Sequence, residues 1–133
     1  MIYRPNCKFI ETDFPIASNK ISPFNSQNSI ISRSAIPDYF LFPYVGRMDD
    51  IWASFYCQAK GHQAVFTKPG VLSDRSLGTV GRYSIVEDMR REYLGMEKSL
   101  EILNRIYDNP DAIKDFLPEK SWLAFLEWKS IIK

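Results

Sequence analysis

The residues best equipped for chemistry lie in one short stretch, Gly46-Arg47-Met48-Asp49-Asp50-Ile51-Trp52. Asp49 and Asp50 are adjacent carboxylates where an aromatic run ends and a helical pattern begins. A helix N-terminus carries partial positive charge, which keeps such acids ionised and fixes their direction. An ionised, oriented aspartate can accept a hydroxyl proton or hydrogen-bond a sugar. Trp52, within the first helical turn, offers an aromatic face for a pyranose ring. Arg47 has two uses, pairing with a carboxylate or facing an anion. The plainer account of the two acids is helix capping, which Asp performs in many proteins without any chemistry.

Other chemistries find less support. The sequence contains no GxxxxGK[ST] phosphate loop, GxGxxG, HExxH or GxSxG pattern. His62 is the one histidine, so neither a histidine-rich zinc site nor a histidine triad is expected. It follows Gly61 at a helix end and reads as a solvated turn residue. Cys7 and Cys57 have no CxxC spacing and read as reduced thiols. A net charge of +1 argues against nucleic acid as the main partner. No apolar run approaches the roughly 20 residues that span a bilayer, and the first residues lack signal-peptide character, so the expected location is the cytoplasm.

The elements that must position these residues change character near residue 48. Residues 1–48 hold Pro5, Pro15, Pro23, Pro37 and Pro43 and read as extended pieces and turns, with Ser29–Ser32 a candidate strand. Residues 49–133 read as helix, strand, loop and helices. The first helix runs to Lys60 with Ile51, Trp52, Phe55, Tyr56 and Ala59 on one face, and Gly61 stops it. Gln63–Thr67 has the compact apolar character of a buried strand. Lys68–Arg82, with Gly70, Gly78 and Gly81, reads as a long mobile loop. Ser84 and Glu87 form a capping-box signature for the longest helix. Its apolar stripe is Val86, Met89, Tyr93, Met96, Leu100, Leu103 and Tyr107, and Gly95 is a weak point. Pro110 and Pro118 open later helical segments, the last carrying Trp122, Leu123, Phe125, Leu126, Ile131 and Ile132. The expected fold is a single α+β domain, a small mixed sheet of short strands packed with three to four helices.

Several segments together resemble the STELLO-type family of glycosyltransferase-like proteins. They are Asn25-Ser26-Gln27-Asn28-Ser29, the aromatic run, Arg47-x-x-Asp50-Ile51-Trp52-x-Ser54-Phe55-x-x-Gln58, Asp74-Arg75, and Glu87-Asp88-Met89-x-x-Glu92-Tyr93-Leu94-Gly95-Met96-Glu97. A looser similarity is to the reversibly glycosylated polypeptides (UDP-arabinopyranose mutases). The likeness covers about residues 22–97. It implies the C-terminal, acceptor-side half of a GT-A fold, here part of a larger domain. By that resemblance Asp50 is an acceptor-side general base or sugar ligand and Asp49 assists it. Gln27 and Asn28 lie near the donor sugar, while Arg75 and Arg82 meet donor phosphates when their loop closes. The family's nucleotide-binding half and its metal-binding Asp-x-Asp are absent from the sequence. No metal site or cofactor is therefore expected here, and a divalent ion enters only with such a half supplied elsewhere.

Two functions from different classes follow. One is the acceptor-side portion of a sugar-nucleotide-dependent glycosyltransferase, inactive alone, with a sugar or sugar nucleotide as ligand. The other is a non-catalytic carbohydrate-binding or protein-interaction module derived from such a domain. A half-domain leaves an apolar face without its natural cover, so a homo-oligomer is expected.

Overall fold

The structure, a computed structural model, describes residues 13–68, 70 and 85–132. Those residues form a small α+β unit. A two-residue antiparallel sheet pairs β1 (Ile16–Ala17) with β2 (Val65–Phe66), in the register Ile16 to Phe66 and Ala17 to Val65. Three α-helices supply the bulk: α1 (Asp49–Ala59), α2 (Ile85–Ile106) and α3 (Glu119–Ile131). Short 3-10 turns at Ser26–Asn28, Ile36–Asp38, Gly46–Met48 and Pro110–Phe116 join them.

The central element is α1. Trp52, Ala53, Ser54, Phe55, Tyr56 and Cys57 are all buried, so the helix is enclosed on every side rather than on one stripe. Gly61 adopts φ 97°, the left-handed conformation that ends the helix as expected. Burial pushes the Cys57 thiol up to about 11, with the Asp38 charge adding to the shift, so this thiol stays protonated and unreactive. Around α1 the core gathers Phe42, Met48, Ile102, Ile106, Ile113, Leu117 and Phe125. Phe125 of α3 is its hub, with ring centroids 5.1 Å from Tyr56, 5.4 Å from Trp122, 5.5 Å from Phe42 and 5.7 Å from Phe40.

Four expectations are corrected. Ser29–Ser32 is irregular, and Ile30 is fully exposed. The strand within Gln63–Thr67 shrinks to two residues, both exposed, because only the short β1 pairs with it. On α3, Leu123, Leu126 and Ile131 face outward, while Phe125 is buried and Trp122 half-buried.

The largest correction concerns α2. Val86, Met89, Tyr93, Met96, Leu100 and Tyr107 are between 62% and 80% exposed, although they form the most regular apolar pattern in the chain. The buried face is instead Gly95, Ser99, Ile102 and Ile106. Two bulky α1-side groups explain the choice. Trp52 donates its indole N–H to the Ser99 hydroxyl at 2.9 Å, and Met48 lies directly on Gly95. Small residues let the helices close over these groups. The capping box at Ser84 and the Lys68–Arg82 loop lie largely outside the described residues.

Candidate functional site

Asp50 is engaged by the segment that precedes it. Its Oδ2 accepts the Ser26 backbone N–H at 2.9 Å and the Ser26 hydroxyl at 3.1 Å. One turn on, Ser54 Oγ accepts the Phe24 N–H at 3.3 Å and donates to the Ile51 carbonyl at 2.7 Å. A further turn on, Gln58 Oε1 accepts the Ser22 N–H at 2.9 Å, and its Nε2 donates to the carbonyls of Ser22 at 2.8 Å and Ser54 at 3.0 Å. The backbone N–H groups of residues 22, 24 and 26 thus dock on α1 side chains 58, 54 and 50.

The spacing has a simple origin. Four helical residues rise about 6 Å. Two extended residues advance roughly 6.6 Å. Polar side chains at i, i+4 and i+8 therefore meet alternate amides of an antiparallel extended segment. Pro23 has no N–H and sits between two of the docked amides, where none is needed. Phe24 stacks on Tyr39 at 5.6 Å, fixing the same segment from its other side. Residues 22–26 form a strap on α1, and Asp50, Ser54 and Gln58 hold it.

The remaining predicted site residues divide accordingly. Asp49 and Asp50 occupy the first turn of α1, favourable with the helix dipole, but Met48 rather than an aspartate is the N-cap. Trp52 is 3% exposed and bonded to Ser99, so its ring is core and not a platform for a sugar. Arg47 pairs with Glu92 of α2, Nε to Oε2 at 3.7 Å. Gln27 and Asn28 are exposed in the 3-10 turn that Asp50 secures through Ser26, which brings them to the N-terminal end of α1. Arg75 and Arg82 lie outside the described residues.

A shallow groove of about 430 Å³ is lined by Asn19, Lys20, Ile21, Leu103, Asn104 and Tyr107, none of them a predicted site residue. Among the described residues, no group of three or more histidine, cysteine or acidic side chains is placed to hold a metal ion. No helix among them is long and apolar enough to cross a membrane. Compared with known proteins, the chain matches no family model, no curated protein and no solved structure.

Two features escaped the sequence reading. The first is a polar cluster around Asp38, whose carboxylate meets His62 Nε2 at 2.9 Å and Lys129 Nζ at 3.0 Å. Burial opposes ionisation of Asp38, but the hydrogen bonds and positive charge from His62 and Lys129 hold its carboxyl below the usual range. His62 is therefore half-buried and partnered rather than a solvated turn residue. Lys129 also lies 5.4 Å from the Phe125 ring centroid and 5.8 Å from that of Tyr56. The cluster ties α3 to the Ile36–Asp38 turn, aided by Trp128 donating to the Ile36 carbonyl at 3.2 Å. Its members sit 91 and 24 residues apart in sequence, and no short motif joins them.

The second feature lies before α1. Tyr44 is exposed and held at φ 65°, a left-handed conformation costly for a bulky residue. The exposed ring near Arg47 in sequence is thus Tyr44, three residues before it, whereas Trp52 is enclosed in the core. Tyr39, by contrast, has a buried hydroxyl with no partner among the described residues. Burial, with the charges of Asp50 and Asp49, pushes it up to about 12.

Proposed function

We propose that this chain acts by contact rather than by catalysis, as a protein-interaction module related to the acceptor side of a glycosyltransferase-like domain. The observation that carries this reading is the exposed apolar face of α2. Monomeric soluble proteins rarely leave so continuous a stripe uncovered. The commitment of Asp50 to the strap and of Trp52 to the core supports it further, since the two side chains best suited to sugar chemistry already serve the fold. The resemblance-bearing residues Asp50, Ser54 and Gln58 have a structural use that needs no ligand. A cytoplasmic location belongs to the same proposal.

A second reading is favoured by one specific observation. Asn25–Ser29 and Arg47–Gln58, distant segments of the family-like pattern, meet at the Asp50–Ser26 contact. This convergence suits an acceptor-side carbohydrate surface that includes Asp49, Gln27, Asn28 and Tyr44, working with a nucleotide-binding half of GT-A type.

Calorimetric titration of the chain with UDP, UDP-glucose and free hexoses separates the two. The contact reading predicts heats of dilution only, into the millimolar range where ΔG is about −4 kcal/mol. Saturable binding of any of these ligands, weakened by Asp49→Ala, contradicts it and establishes the second.

A further inference from the structure

The exposed face of α2 has the geometry of a coiled-coil seam. Val86, Met89, Tyr93, Met96, Leu100, Leu103 and Tyr107 follow one another at alternating spacings of three and four, the a/d pattern of three heptads. Leu103 is half-buried beside the Asn19–Ile21 groove, and the other six are mostly exposed. A helix of 22 residues is about 33 Å long. Tyr107 lies one residue past the end of the helix, and the five exposed residues within α2 present on the order of 600 Å² per chain, against about 800 Å² per partner in a standard interface.

Flanking charge decides which partner fits. The residues after the d positions are Arg90, Glu97 and Asn104, on the flank of α2 opposite the core-facing Ser99 and Ile106. If a second copy packs antiparallel with Val86 against Leu103, Met89 against Leu100 and Tyr93 against Met96, then Arg90 of each chain faces Glu97 of the other. Two opposite-charge pairs form by symmetry. Sliding the pair by one heptad sets Glu97 against Glu97 in one direction and Arg90 against Arg90 in the other. A parallel pair sets Glu92 against Glu97. Only one of these four arrangements is complementary, and like-charge contacts work against the rest.

We infer that α2 is the interface of a two-fold homodimer, an antiparallel helix pair with Val86 opposite Leu103 and Arg90 opposite Glu97 of the second copy. The inference rests on the contact reading and names its occupant. The Glu97 carboxylate, one turn on, raises the Tyr93 hydroxyl above its ordinary range, which places the two side chains near one another on this flank.

Sedimentation velocity on the full chain tests it, with circular dichroism as the control for folding. The wild type is expected to run as a dimer at about 100 μM, and Met96→Glu/Leu100→Glu as a folded monomer. Arg90→Glu and Glu97→Arg should each weaken the dimer about tenfold, and the two together should restore it, because the pairs reform with signs exchanged. A monomeric wild type overturns the proposal, whether the stripe is then covered by residues 71–84 of the same chain or by another protein. A dimer indifferent to Met96→Glu/Leu100→Glu overturns it as well, and a double swap that fails to restore association overturns the antiparallel register. These outcomes are independent of the sugar titrations, so failure of the dimer and failure of the contact reading are distinguishable.

Discussion

Phe125→Ala should lower the stability of the fold by about 3–5 kcal/mol, a large share of what a domain of this size possesses. Phe125 is fully buried and meets four aromatic rings, those of Phe40, Phe42, Tyr56 and Trp122, at centroid distances of 5.1–5.7 Å. Removing the ring takes away its transfer free energy and opens a cavity that rigid neighbours cannot fill. It also removes a face over which Lys129 is held, loosening the Asp38 cluster that docks α3. Urea titration followed by tryptophan fluorescence checks this. A midpoint within experimental error of wild type would mean that α3 does not pack as described.

Gly95→Val should cost about 3 kcal/mol, against the direction that helix propensity alone predicts. In an exposed helix, replacing glycine with a larger residue gains up to about 1 kcal/mol. Here a Cβ would overlap Cγ of Met48 and lie 3.0 Å from its Sδ and 3.1 Å from its Cε. The whole Met48 side chain must leave a slot already lined by Trp52 and Ser99, and overpacking of this kind costs typically 1–3 kcal/mol before the β-branch is counted. Met48→Ala in the same chain vacates the slot and should recover most of the loss. Thermal melts of the single and double variants measure the coupling, and additive effects would contradict the contact.

Gly95 shows where sequence patterns mislead. Within α2 it looks like a weak point, yet it is the place where two helices touch. The regular stripe of α2 reads as core from periodicity alone, because a heptad seam and a core face share the same spacing. What decided the matter was not on α2. The indole of Trp52 and the thioether of Met48 need a small-residue landing, and only the Gly95 and Ser99 side of α2 provides one. Trp52 itself sits at the start of a helix, where spacing cannot distinguish a surface platform from a residue enclosed on all sides.

The legible parts were those fixed by local chemistry. The start of α1 near Asp49, its stop at Gly61 and the opening of α3 after Pro118 all follow from residues within a turn of the event. The strap was not legible, although its signal is present in hindsight. Asp50, Ser54 and Gln58 are polar residues at four-residue spacing on a helix otherwise buried all round. Such a row must satisfy polar groups from elsewhere, and here those groups are the amides of residues 22, 24 and 26. The Asp38 cluster depends on contacts 24 and 91 residues apart, which one sequence does not reveal.

The central claim is that Asp50 holds a strap and is not a free carboxylate awaiting a saccharide. Amide hydrogen exchange reads it residue by residue. The N–H groups of Ser22, Phe24 and Ser26 should exchange far more slowly than unstructured amides, and Asp50→Ala should release Ser26 first while Ser22 stays protected by Gln58. Exchange of all three at the rate of a free chain, in protein whose α1 remains protected, would contradict the account and return Asp50 to solvent.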